Sequence, residues 1–375
     1  MTARRLVNRS ADIAVFYSKD KFDQTEMDAG SGMSFLPAVQ DLKFGFDGIT
    51  QKNKSIGSRK KSFTYSNQAP DVSVDVSILE NFETLFEDAF SGGNLVSDLD
   101  NGKNFYFLIS DDEQRTALSL YKNSISVGNC FLNSVSISQS VNGILKSDYS
   151  YVGSNILAQE FSGATDTYES SSGKAPSVNL TGDQQPVGNF VFNKIDQEMS
   201  SSNFSGEFTP GCKTFVKVSG IGTDTSFLIN PDNIQSFDLG LNFNRKRINS
   251  VEKYFPMGRK ATPPFLGNIS LENKFSDIEA GDSFINFLKN PEEYHISISG
   301  EKSNGKSFMV DISKAFLQKK SVNGSISSNL SEKADFIFGL EDMSVLTTLK
   351  SINTWSLSNG TIWEDNDFIW NTIND

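Results

Sequence analysis

The strongest constraint in this sequence is that one stretch of it is written twice. An apolar run from Val39 to Phe46 leads into a basic loop holding Ile56-Gly57-Ser58-Arg59-Lys60-Lys61. Pro70 then opens an alternating segment, Val72 to Ile78. Leu79, Phe82, Leu85, Phe86 and Phe90 follow at helical spacing, with acidic residues on the other side. From Ile234 the order returns. Ile234 to Leu241 is apolar, Met257-Gly258-Arg259-Lys260 is the loop, Pro264 precedes Leu266 to Leu271, and Phe284 to Leu288 is the helix-like run. Asn104 to Ser110 matches Glu293 to Ser299, and Asp148 to Gly153 matches Ala334 to Gly339. Identity between the copies is low; what recurs is six pieces in one order, which points to duplication.

A chain of 375 residues has room for two domains. Alternating segments dominate. Val72, Val74, Val76 and Ile78 fall on one face of a strand, with Ser73, Asp75 and Ser77 on the other. The expected class is therefore mainly β: two tandem β-sandwich or barrel domains, each with one flanking helix. The expected boundaries are an N-terminal arm over 1–30, a first domain over 31–160 and a linker over 161–213. A second domain covers 214–345, and a tryptophan-containing extension covers 346–375. The linker is rich in Ser, Gly and Pro. Asn104 to Ile109 reads as a strand buried on both faces. Cys130-Phe131-Leu132 and Val135 to Ser138 read as further strands of a meander, and Asn142-Gly143 as a type I′ hairpin turn.

The chemistry of catalysis is thin. The one histidine, His295, lies in an apolar strand pattern, which suits a structural side chain better than a general base. Cys130 and Cys212 have no metal-site spacing, and Gly220-Ile221-Gly222 lacks the third glycine of a dinucleotide loop. Asp98 to Gly102 departs from an EF-hand loop and reads as a polar turn. The expectation is a non-enzyme with no cofactor and no metal. No apolar run reaches the ~18 residues of a membrane span, so no membrane partner is expected.

Against a net charge of −12, two basic clusters occupy the same place in each repeat. Lys52, Lys54, Arg59, Lys60 and Lys61 belong to one, and Arg245, Lys246, Arg247, Arg259 and Lys260 to the other. Docking onto an acidic face of a like subunit accounts for them best, ahead of a merely solvated loop and of nucleic-acid binding. Trp355, Trp363 and Trp370 all lie in the last residues, with Asn359-Gly360 as a turn between two of them. Two readings stand: a strand pair covering the second core, or an anchor onto a neighbouring subunit.

Each repeat resembles the tail-tube domain of tailed bacteriophages. The resemblance is carried by the Val39 to Phe46 strand, the loop to Arg59, the Pro70 strand with its helix, and Val135-Ser136-Ile137 to Gly153. In the second copy it is carried by Ile234 to Leu241, Arg259, Pro264 to Leu271 and Ser321 to Gly339. It implies a structural virion protein of the phage tail, made in the host cytoplasm. A duplicated chain implies homotrimeric rings with pseudo-sixfold symmetry, stacked into a conduit for the genome. The implied neighbours are the tape measure, terminator and baseplate proteins, with the early loop reaching the next ring. An acidic lumen would let DNA pass without sticking. The alternatives are a baseplate-hub or distal-tail adaptor with doubled tube domains, and a carbohydrate-binding two-domain β-sandwich protein.

Overall fold

The computed structural model describes residues 13–18, 33–36, 38–47, 50–53, 62–65, 71–79, 102–110, 121–153, 155–160, 167–168, 190–191, 214–220, 234–249, 256, 258–274, 293–301, 307–323 and 331–348. In the first half the strands are β1 (Ile13–Ser18), β2 (Met33–Phe35), β3 (Val39–Asp47), β4 (Thr50–Asn53), β5 (Ser62–Tyr65), β6 (Asp71–Leu79), β7 (Lys103–Ser110), β8 (Tyr121–Ser140), β9 (Lys146–Gly153) and β10 (Asn155–Glu160). The short strands β11 (Thr167–Tyr168) and β12 (Phe190–Val191) pair with each other. The second half holds β13 (Thr214–Gly220), β14 (Ile234–Asn242), β15 (Arg245–Ile248), β16 (Gly258–Ala261), β17 (Leu266–Lys274), β18 (Glu293–Glu301), β19 (Ser307–Asn323), β20 (Ser331–Gly339) and β21 (Met343–Thr348). The class is mainly β. The helices expected near Phe82 and Phe284 lie outside the described residues; Leu79, expected to open the first, ends β6 instead.

The two halves share one plan, visible strand by strand. β3 pairs β6, β6 pairs β9, and β9 pairs β8; likewise β14 pairs β17, β17 pairs β20, and β20 pairs β19. β8 also takes β7 and β10 as β19 takes β18 and β21, and β1 joins β7 as β13 joins β18. A hairpin, β4–β5 in one half and β15–β16 in the other, follows the first strand of each set. Irregularities recur as well. The register shifts at Val39/Asp41 and Ile234/Ser236, at Lys103/Phe105 and Tyr294/Ile296, and at Leu132/Ser134 and Leu317/Lys319. Bulges are positional features of a fold, so their recurrence fixes the correspondence to the residue. Leu42, Phe44 and Phe46 correspond to Phe237, Leu239 and Leu241, Asp71 to Leu266, Phe131 to Phe316, and Gly45 to Gly240.

The halves join edge to edge. β14 pairs the far end of β8, Ser236–Asn242 against Ser140–Ser134, and fifteen strands form one sheet. A single core runs through both halves, from Val74, Phe107 and Tyr151 to Leu239, Ile298 and Phe336. Burying Phe237, Leu239 and Leu241 at this seam stabilises it by about 1.5–3 kcal/mol per side chain.

Four expectations change in detail. Residues 1–30 are not all arm, because Ile13–Ser18 is a strand of the sheet with Phe16 and Tyr17 fully buried. Cys130-Phe131-Leu132 and Val135 to Ser138 are one strand, β8, bent at its bulge so that it serves both β7 and β14. Asn142-Gly143 is not a type I′ turn. Among the described non-glycine residues only Ala38 and Asn244 have positive φ, so Asn142 does not. Gly143 N–H instead donates to Ser140 O at 2.9 Å, placing glycine fourth in the turn, where type I turns favour it. Finally, two of the matched pieces shift: Gly153 corresponds to Phe338, because Val72 pairs Gly153 as its counterpart Gly267 pairs Phe338, and Phe105 corresponds to Ile296, because the bulge at Lys103/Phe105 recurs at Tyr294/Ile296.

The sheet edges and the inter-repeat clasp

The sequence of each repeat ends its first strand in a hairpin, and in the second repeat that hairpin folds back onto the first. β15 and β16 carry five of the basic residues singled out above: Arg245, Lys246, Arg247, Arg259 and Lys260. Arg245 donates through Nε to Leu132 O at 2.8 Å, and its guanidinium lies 5.7 Å from the Phe131 ring centre. Arg247 Nε donates to Asp71 Oδ1 at 2.8 Å. Arg259 bonds the same carboxylate and donates to Gly153 O at 3.0 Å. Arg259 is 5% exposed. Three of the expected docking cations therefore face inward and clasp one repeat to the other; Lys246 and Lys260 hold the intervening register positions. Lys52 lies on β4, opposite Phe63 on β5. Lys54, Arg59, Lys60, Lys61, Trp355, Trp363 and Trp370 lie outside the described residues.

The electrostatics of the clasp follow from its geometry. Partial burial works against ionising Asp71, yet the bonds from Arg259 and Arg247 outweigh it and hold the carboxyl below its usual range. Burial pulls the Arg259 guanidinium down, and Asp71 opposes that. Sequence reading missed Asp71, because nothing in Pro70-Asp71-Val72 signals a partner more than a hundred residues away.

Outside the core, strands β3, β6, β9, β8, β14 and β17 present one polar face around a groove of 610 Å³. Its charges are answered locally. Lys43 sits 3.1 Å from Asp41, and Lys146 lies 3.2 Å from Asp148. Ser150 Oγ donates to Asp75 at 2.6 Å, and Ser136 Oγ to Asp238 at 3.0 Å. The bond from Lys43 lowers the Asp41 pKa, and Asp41 raises that of Lys43. No group of three or more metal-ligating side chains occurs among the described residues. His295 Nε2 lies 2.7 Å from Asp311 Oδ1, a structural pairing between β18 and β19.

Within the sheet, β3, β6, β9, β8, β14, β17, β20 and β19 follow one another as an eight-strand run whose ends are open among the described residues. Among the described residues, β3 pairs only β6, and no strand pairs β19 beyond Phe316 on the side of β18. Leu239 and Leu241 are 1% and 2% exposed; their counterparts Phe44 and Phe46 are 37% and 67% exposed. Phe131 is 5% exposed beneath Arg245, whereas its counterpart Phe316 is 42% exposed. The signal for these edges was present as alternation in Leu42, Phe44 and Phe46, but alternation does not say which copy is covered.

No family model matches the sequence. No curated protein matches it either. Among solved structures, the chain is similar to one in the six-fold symmetrised cryo-EM structure of the anti-feeding prophage baseplate: 11% identity and a TM-score of 0.26 over 36% of this chain and 92% of that one. It is similar also to a chain in the tail of an empty gene transfer agent particle with C6 symmetry, at 14% identity and a TM-score of 0.24, covering 33% and 90%. A chain in the virion of a native gene transfer agent particle gives 13% identity and a TM-score of 0.25, covering 36% and 95%.

Proposed function

We propose that this chain is a structural subunit of a phage-type tail, three copies of which close into a pseudo-sixfold ring that stacks into a conduit for DNA. The observation that carries the reading is the internal seam. β14 of the second repeat pairs β8 of the first, while among the described residues the corresponding edges of β3 and β19, at the outer ends, have no strand beside them. A heterologous contact that repeats itself closes into a ring when the rotation allows. Transferring the seam's register places Gly45 opposite Ser321, as Gly240 stands opposite Ser136. The polar face, with its carboxylates already answered by lysines and serines, suits a wall that a polyanion slides past.

The test is assembly. Concentrated protein is imaged by electron microscopy beside an oxidised Gly45→Cys/Ser321→Cys variant. A Cβ at Gly45 meets nothing nearer than Ser73 Oγ at 3.8 Å, so the strand accepts it. Paired antiparallel positions lie ~4.5–5.5 Å apart at Cα, within disulfide reach. The expected products are tubes and a covalent ladder ending at the trimer. Single rings that never stack would favour the adaptor. A monomer at every salt and concentration would overturn the assembly reading.

A further inference from the structure

We propose that the β4–β5 hairpin of one copy clasps the second repeat of the next copy, over Leu266 and Phe316, by apolar contact where the internal clasp is ionic. The inference deepens the proposed function, and rests on it for the joining of copies end to end.

The third register pair of β15–β16 is Arg247 opposite Arg259, and both arginines bond Asp71 of the first repeat. The third register pair of β4–β5 is Lys52 opposite Phe63. The counterpart of Asp71 is Leu266, since Asp47 pairs Asp71 as Asn242 pairs Leu266. One side of the contact changes from Arg259 to Phe63, and the other side changes from Asp71 to Leu266. Of the two ionic donors, Arg259 is replaced by apolar Phe63 while Arg247 keeps a cation, Lys52, and the acceptor they share is replaced by apolar Leu266.

A solvated hairpin would be under no constraint to change in step with a surface it never touches. Leu266 is 48% exposed and Phe316 42%. In the first repeat the site corresponding to Phe316 is Phe131, lying under Arg245 and 5% exposed. The second repeat therefore presents an apolar patch that its twin keeps covered by a hairpin. The hairpin with the matching chemistry is β4–β5, which follows β3 at one end of the strand run, whereas the patch lies beside β19 at the other end. The occupant is the β4–β5 hairpin of a second copy.

Chemistry that is swapped in step can be swapped back. Leu266→Asp alone sets a carboxylate against Phe63, and Phe63→Arg alone sets a guanidinium against Leu266; each is expected to reduce the ring-assembled fraction roughly tenfold. Phe63→Arg with Leu266→Asp rebuilds the internal ion pair between copies and is expected to restore assembly to within about threefold of the original. Phe316→Ser, a change at an exposed position, is expected to weaken assembly without altering the β-sheet circular dichroism. Ring content is read by sedimentation velocity at matched concentration. If the single variants assemble like the unmodified chain, or the double variant is no better than Leu266→Asp, the clasp is overturned while rings of the unmodified chain leave the tail reading standing. If the unmodified chain never assembles, the tail reading fails, and the clasp with it.

Discussion

At the scale of residues, Asp71 is the junction's pin. Its carboxylate accepts bonds from two guanidiniums, one of them buried. Asp71→Asn removes the negative charge that answers the buried Arg259 guanidinium and puts an amide N–H₂ donor in place of one carboxylate oxygen, and the expected loss is about 1–3 kcal/mol in urea unfolding. The sign of the pH dependence follows. The folded pKa of Asp71 is depressed, so its contribution is complete above the unfolded value near 3.8 and is lost as pH falls through the lower folded value. The difference in stability between the unmodified chain and Asp71→Asn is thus expected to be level from pH 5 to 8 and to shrink below about pH 4; a difference that grew on acidification would contradict the pairing. A second residue-scale case is Gly267, which stands directly across from Phe338. A Cβ there would come within 2.2 Å of the ring, and the ring is 2% exposed. Gly267→Ala is expected to cost about 1–3 kcal/mol through forced repacking, read as a lowered midpoint of thermal unfolding.

At the scale of elements, β8 and β19 explain both what was legible and what was not. Along β8 the residues of the shared core run Val127, then Cys130 and Leu132, then Val135 and Ile137; along β19 they include Ile312, then Ala315, and the same bulge follows at Leu317/Lys319. Each change of parity marks a bulge, where one extra residue turns the next side chain to the other face. In sequence such a change looks like a turn between short strands, and so one strand of twenty residues reads as two. The pair β3 and β14 was legible in correct register because neither has an insertion: residues 48–70 and 243–265 separate it from β6 and β17 over equal lengths. β7, expected to be buried on both faces, is so, with Phe105 to Leu108 at 0–1% exposure. The seam itself was not legible. Leu42-Lys43-Phe44-Gly45-Phe46 and Phe237-Asp238-Leu239-Gly240-Leu241 have one pattern, and only the partner strand decides which is covered. The intrachain contacts of Arg245, Arg247 and Arg259 were illegible for a related reason. Charge along a sequence does not distinguish an arginine aimed at another molecule from one aimed at Asp71.

At the scale of the molecule, the two kinds of junction differ in how salt acts on them. The clusters, taken as docking loops, would hold copies together through exposed charges, and raising the ionic strength would release them. With three of the arginines committed inside the chain, the open ends present exposed apolar side chains, Phe44 and Phe46 on β3 and Leu266 and Phe316 on the second repeat, beside the Lys43–Asp41 pair of β3 and Lys319 of β19. At 1 M salt the screening length falls to about 3 Å, enough to remove attraction between exposed charges but not contact between apolar side chains. Strongly hydrated salts favour apolar burial further. Ring-sized species formed at 0.1 M sodium chloride are therefore expected to persist at 1 M and to strengthen in sodium sulfate at equal ionic strength, as read by sedimentation velocity. Cooling acts in the opposite direction, because apolar association weakens toward 0 °C. Rings that dissolved in salt and reformed on cooling would place the attraction back on the lysines and arginines of the loops, and would remove the apolar edges from the assembly.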